Sequence, residues 1–170
     1  MRLFIAIQPN DEIKKALRGT QNELRRRGVE GNFTRADNLH LTLAFIGEYP
    51  DADAVLDAMN TLRAEPLRLK LNGLGSFGDT WWAGFEENDR LDELVRRLHR
   101  ALAEAGIPFD RKSFRPHMTL IRKPTYRRDP QLGTVPPPEA EMTAVSVSLM
   151  LSTRGKHCMI YTELGAVRLE

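Results

Sequence analysis

The sequence predicts a mixed helix-and-strand fold built from two matched lobes, and three observations carry that expectation. Apolar residues switch repeatedly between strand-like and helix-like spacing along the 170 residues. The order strand, helix, loop, strand occurs twice, the second copy displaced by about 78 positions. The closing strand of each copy carries the same short pattern, His40-Leu41-Thr42-Leu43 and His117-Met118-Thr119-Leu120. The length suits one domain, or one domain made of two similar lobes, and is enough to bury a sizeable core.

Residues 3–7 read as a short buried strand closed by Pro9. Asn10 or Asp11 can cap a helix running to about Arg27, because a short polar side chain accepts the unpaired N–H groups of the first turn. Ile13, Leu17 and Leu24 form its apolar side, Arg25, Arg26 and Arg27 suit the negative end of its dipole, and Gly28 stops it. A polar loop is expected next, then a strand over 38–47 and a helix over 51–63 with Val55, Leu56, Met59 and Leu62 inward. Leu67, Leu69 and Leu71 alternate with polar residues as in a half-buried strand, and Gly73, Gly75 and Gly78 mark a bend or turn. A strand over 81–85, a helix over 88–105 ended by Gly106, and a strand over 115–122 complete the second copy. A proline-rich loop over 125–139 leads to a hairpin of 144–151 and 158–164 around Arg154-Gly155-Lys156.

The repeat is one of pattern rather than identity. Strand falls on strand, helix on helix and Gly28 on Gly106 at a shift of 78, while His40 falls on His117 at 77. Any chain alternating helix and strand offers some shifted matches; agreement in strand, helix, terminating glycine and His-x-Thr-Leu together is what gives this one weight. It predicts two lobes about a pseudo-twofold axis, with the histidine strands facing each other across a cleft.

Composition bounds the function. No apolar run approaches the roughly 20 residues that span a bilayer. The N-terminal stretch is too short for a secretory core and lacks a small-residue cleavage site, so a cytoplasmic protein is expected. The single cysteine, Cys158, excludes an intrachain disulfide and a multi-cysteine metal site. Neither histidine pattern has a second ligand at metal spacing, and no glycine-rich phosphate loop precedes a helix, so neither a metal nor a nucleotide cofactor is indicated. Nor is an obligatory protein partner evident. The formal charge is only +2, but residues 111–128 hold seven basic side chains and no acid, which leaves −5 on the remainder. That window reads either as a face for a polyanion or as an arginine-rich solvated surface.

Side chains alternate across a strand, so His40 and Thr42 share one face while Leu41 and Leu43 point to the other; His117 and Thr119 repeat the arrangement. A lone strand histidine is commonly a packed structural residue, but two with the same hydroxyl neighbour suit concerted acid–base work. Imidazole titrates near pH 6.5, so one ring can accept a proton from an attacking hydroxyl while the other gives one to a leaving oxygen. In-line displacement at phosphorus has those opposite entry and exit sides. The threonine hydroxyls can donate to non-bridging phosphate oxygens, with basic residues adding stabilisation.

With these flanks the motifs carry a resemblance. The start Arg2-Leu3-Phe4-Ile5-Ala6-Ile7, the segment Asn38-Leu39-His40-Leu41-Thr42-Leu43-Ala44-Phe45-Ile46-Gly47 and the segment Phe114-Arg115-Pro116-His117-Met118-Thr119-Leu120-Ile121-Arg122 resemble the 2H phosphoesterase superfamily, more closely its bacterial and archaeal RNA 2′,3′-cyclic phosphodiesterases, also called 2′-5′ RNA ligases. The resemblance covers essentially the whole chain. It implies one α+β, bilobal phosphoesterase domain over residues 1–170, with two antiparallel sheets lining a central cleft and helices outside. It implies hydrolysis of an RNA 2′,3′-cyclic phosphate end to a 2′-phosphomonoester, with reversible 2′-5′ ligation. By resemblance His40 is the proton donor and His117 the acceptor, and Thr42, Thr119 and Arg122 bind phosphate. Strict alternation puts Arg122 on the face opposite His117, so its role requires a bulge, or a strand ending near Ile121. Met118 stands where smaller aliphatics are common in the family, a core-facing change of little consequence. Two other readings stay open: a non-catalytic RNA- or nucleotide-binding module, and a phosphodiesterase for other small cyclic or 2′-5′ linked nucleotides.

Outside the motifs, Arg154 or Lys156 in the closing hairpin can meet RNA phosphate, since the resemblance puts that hairpin beside the cleft. Trp81 and Trp82 alternate faces, one for the core and one more exposed, where it packs or stacks on a base. His99 reads as part of a solvated helix face and His157 as a surface residue. Phe45, on the Leu43 side of its strand, reads as core, and Cys158 as a small apolar filler.

Overall fold

The computed structural model describes residues 1–170. Strand β1 (Arg2–Ile7) leads to helix α1 (Asp11–Arg26), strand β2 (Glu30–Phe33) and strand β3 (Leu41–Glu48). Helix α2 (Ala52–Met59), strands β4 (Leu67–Phe77) and β5 (Thr80–Phe85), helix α3 (Asp89–Glu104) and strand β6 (His117–Thr125) follow. Strands β7 (Glu141–Ala144), β8 (Ser146–Arg154) and β9 (Met159–Arg168) close the chain. Two antiparallel sheets result, ordered β3-β1-β8-β9 and β2-β6-β5-β4-β7. Without its edge strand β2, the second sheet repeats the first: motif strand, leading strand of the unit, then two more. No helix is long and apolar enough to cross a membrane.

The internal repeat extends to the helix ends. Asn10 and Asn88, 78 apart, cap α1 and α3 by accepting from the backbone N–H of Ile13 and Leu91. Gly28 and Gly106 follow the helices with φ of 87° and 72°, a conformation that costs other residues a clash at Cβ. In each case the next N–H, from Val29 or Ile107, reaches back to Leu24 or Leu102 at 3.0 and 2.9 Å, and both following side chains are buried.

The two units interlock. Helix α1 leaves the first sheet and packs on β6 and β7 of the second; α3 leaves the second sheet and packs on β3 of the first. Each helix then fastens the opposite motif strand through counterpart residues 78 apart. Gln21 Nε2 donates to the Leu120 carbonyl at 2.9 Å and to Thr34 at 2.8 Å. His99 Nε2 donates to the Leu43 carbonyl at 3.0 Å. A single apolar core joins Ile13 and Leu17 of α1 and Leu91, Leu94 and Leu98 of α3 to residues of both sheets.

Several expectations are corrected. His99 is half-buried, bonded to β3 and stacked on Phe109 at 4.6 Å, so it is a structural link rather than part of a solvated face. Residues 30–33 of the expected loop form β2, because they gain a partner in β6 that no local pattern announces. The expected bend at Gly73 and Gly75 is part of β4, which runs on to a turn at Gly78 and Asp79. A Cβ on Gly75 would stand 2.4 Å from the Trp82 ring, so that glycine makes room for an indole rather than a turn. The helix expected over 51–63 ends at Met59, and Glu141, Met142 and Thr143, between the expected loop and hairpin, join Ala144 in the additional strand β7.

Candidate active site

Both motif strands carry a bulge at the motif leucine. Across β1 and β3, Ile5 opposes Ala44 and Ala6 opposes Thr42, which leaves Leu43 unopposed. Across β5 and β6, Trp81 opposes Ile121 and Trp82 opposes Thr119, which leaves Leu120 unopposed. The extra residue puts two buried side chains in succession, Leu43 and Ala44 in one strand, Leu120 and Ile121 in the other, and inverts the alternation beyond them. Arg122 is thereby returned to the face of His117 and Thr119, as its expected role requires. The same inversion corrects the placement of Phe45. It is half-exposed in the cleft with His40 and Thr42, because it is the counterpart of Arg122 at a shift of 77.

Each catalytic candidate is held by the same local device. His40 Nδ1 lies 2.6 Å from the Asn38 carbonyl and His117 Nδ1 lies 2.6 Å from the Arg115 carbonyl, two residues back in each case. A carbonyl only accepts, so each Nδ1 carries the hydrogen and each Nε2 is left for chemistry. Two aromatic rings frame each imidazole. Phe4 lies 4.8 Å and Tyr161 5.2 Å from the His40 ring; Trp82 lies 5.9 Å and Phe77 5.2 Å from the His117 ring. Phe4 and Trp82 are themselves counterparts at a shift of 78. Trp81 is buried, and the Nε1 of the half-buried Trp82 is enclosed without a hydrogen-bond partner.

A hollow of about 830 Å³ takes in His40, Thr42, Arg122 and Arg154. His117 and Thr119 lie outside its lining, on the same face of β6 as Arg122, and β3 and β6 are in contact. Burial holds the His40 imidazole below its ordinary value; the Asn38 carbonyl opposes that, and the positive charges of Arg122 and His117 add to it. The two histidines and Arg122 therefore share one electrostatic neighbourhood. A larger hollow of about 1130 Å³ lies by α2, α3 and the end of β9. Three of its five arginines are paired, Arg90 with Glu65 at 3.0 Å and Arg96 and Arg97 with Glu93 at 2.6 and 3.0 Å, and neither motif histidine lines it. Arg2, Arg122 and Arg154 have no carboxylate partner, and all line the smaller hollow together with His40.

Arg154 closes β8 and is exposed at the mouth; Lys156 and His157 lie in the exposed turn beyond it. Cys158 is half-buried and receives a long contact, 3.5 Å, from Arg35. In the basic window, Arg111 lies over Phe109 and Arg115 over Phe77 beside His117, while Arg127 and Arg128 are exposed. No three His, Cys, Asp or Glu side chains converge as a metal-binding group. Arg2, Phe4, Phe45 and Tyr161 are cleft residues that strand alternation did not pick out. The repeat itself held the signal for Phe45, since it aligns that residue with Arg122.

A family pattern described as the 2′-5′ RNA ligase superfamily matches residues 9–156. An RNA 2′,3′-cyclic phosphodiesterase of Thermotoga maritima is 33% identical over 141 residues, covering 74% of this chain and 72% of the relative. One of Geobacillus stearothermophilus is 32% identical over 129 residues; the match spans 71% of this chain and 41% of that longer protein. Among solved structures, Escherichia coli LigT complexed with 3′-AMP superposes with a TM-score of 0.83 at 27% identity, over 99% of this chain and 97% of that one.

Proposed function

The chain belongs to the 2′-5′ RNA ligase superfamily, and on that premise we propose that it is an RNA 2′,3′-cyclic phosphodiesterase whose residues 1–170 act as one bilobal phosphoesterase domain. The observation that carries the reading is the doubled histidine arrangement: two imidazoles with Nδ1 tied to a carbonyl and Nε2 free, sharing a neighbourhood with a cleft arginine. Water attacks the cyclic phosphorus while His117 Nε2 takes its proton. The bond from phosphorus to the 3′ oxygen breaks, and His40 Nε2–H protonates that oxygen, leaving a 2′-phosphomonoester and a 3′-hydroxyl. Thr42 and Thr119 donate to the non-bridging oxygens, and Arg122 and Arg154 hold the phosphate charge. A lowered pKa makes the His40 imidazolium the readier of its two forms to give up a proton, which suits the donor role.

A 5′-hydroxyl in place of water would form a 2′-5′ phosphodiester by the same step, so ligation needs no nucleotide cofactor. The step needs no metal either, and we place it in the cytoplasm, where a free thiol such as Cys158 stays reduced. The test is turnover of an oligonucleotide ending in a 2′,3′-cyclic phosphate, with EDTA present. Loss of either histidine is expected to remove most of it. Binding without turnover, indifferent to both histidines, would instead mean a non-catalytic RNA module, and turnover confined to free cyclic nucleotides would move the substrate class.

A further inference from the structure

We propose that Arg2, laid on Phe45, binds the phosphodiester on the 5′ side of the terminal nucleotide, so that the site distinguishes a polynucleotide end from a lone cyclic nucleotide. This rests on the cyclic phosphodiesterase reading. A nucleotide whose 2′ and 3′ oxygens are both held in the cyclic phosphate has one further point of attachment, its 5′ oxygen. Any second phosphate near the reacting one is therefore the chain's own, and the cleft has cations for it beyond those at the reacting phosphorus.

The Arg2 guanidinium lies 4.9 Å from the Phe45 ring centroid and forms no ion pair. Glu48 stands directly opposite Arg2 in the strand pair, but its carboxylate takes the N-terminal ammonium at 3.2 Å. Arg68, an exposed strand arginine of the other sheet that does not line this hollow, is paired with Glu141 at 2.5 Å. Phe45 packs against the small cluster of Phe4, Ala6 and Met150, and the Arg2 guanidinium lies over its ring. A guanidinium that sits over a ring without an ion pair keeps its N–H groups free for bidentate bonding to a phosphate. Across the sheet Arg2 is opposite Ser152, which puts Arg154, two residues on, on the same face. Both arginines line the hollow that holds His40. The fold symmetry makes the same point. After the paired bulges, the second lobe puts Arg122 in the cleft; the first puts Phe45 there, and Arg2 comes to rest on it.

The experiment compares kcat/KM for a 2′,3′-cyclic mononucleotide and for a short oligonucleotide with the same cyclic end. Arg2→Gln is expected to reduce the oligonucleotide's advantage over the mononucleotide about tenfold, and its salt slope by about 0.7, the loss of one phosphate contact on a single strand. Arg2→Lys, which keeps the charge, is expected to retain most of that advantage, and Phe45→Leu to lose about threefold of it. Equal losses on both substrates, or no loss on either, would overturn the assignment while leaving the activity in place. A wild-type protein that turns over neither substrate would instead remove the activity reading, and this subsite with it.

Discussion

Immediately before β3, His40 is packed between Phe4 and Tyr161, and burial is the leading influence on its proton affinity. On β6, His117 stands beside the exposed Phe77 at the end of β4, and its bond to the Arg115 carbonyl is open to solvent. The devices are otherwise the same: a carbonyl two residues back, a threonine two residues on, a bulge at the next leucine. Duplication supplies two imidazoles in the same tautomer, and the difference in housing can set them to different proton roles. The counterpart positions after the bulge diverge in the same way, to Phe45 in one strand and Arg122 in the other.

The sharpest way to break this comparison is to remove each imidazole separately. His40→Ala and His117→Ala are each expected to lower kcat/KM on a cyclic-ended oligonucleotide by about 10²- to 10⁴-fold. A p-nitrophenyl phosphodiester, whose leaving group needs no proton, separates the roles. His40→Ala recovers most of its rate on it and His117→Ala does not; the reverse result exchanges donor and acceptor. Arg122→Gln comes next, with a loss of about 10- to 100-fold. Because the Arg122 charge helps to hold His40 low, the same variant should raise the His40 titration midpoint in an NMR titration, and an unmoved midpoint would place the guanidinium elsewhere.

The helix clamps extend the comparison to stability. Gln21→Leu loses two hydrogen bonds, stripping the Thr34 carbonyl of its side-chain donor and leaving the Leu120 carbonyl with the Thr34 N–H, and is expected to cost about 2–3 kcal/mol in chemical denaturation, whereas His99→Leu loses one and costs about 1–2 kcal/mol. His99→Gln, which installs the residue used by the other half, should be nearly neutral; a cost as large as that of leucine would mean the Phe109 stack outweighs the hydrogen bond. The smallest expected effect is on pH dependence. A histidine whose pKa is depressed on folding binds more protons when unfolded, so its contribution is present above about pH 6.5 and is lost as pH falls through the lowered value. His40→Gln should flatten that acid decline, and an identical pH–stability curve would contradict the burial effect.

Much of this was legible in the sequence because the repeat is written in local chemistry. Asn10 as a cap, Gly28 and Gly106 as stops, and His40 and His117 with their threonines are all read from short windows. What escaped depends on partners distant in the chain. Strand β2 exists only through β6, and Gly75 faces an indole from the neighbouring strand. His99 looked solvated because its carbonyl partner, Leu43, is 56 residues away. Strict alternation failed for Phe45, where the first bulge was not anticipated, while for Arg122 its failure was expected if the family role was to hold. Arg2 escaped for a third reason, since nothing in a short window shows that Glu48 is engaged elsewhere.

The central claim is that both histidine strands act on one phosphorus. Phosphorus-31 NMR of a 2′,3′-cyclic-ended oligonucleotide, incubated with the wild-type protein and EDTA, tests it most directly. The predicted result is conversion of the cyclic phosphate resonance to that of a 2′-phosphomonoester alone, abolished by either His40→Ala or His117→Ala. A 3′-phosphomonoester, or conversion that survives loss of one of the two histidines, would contradict it.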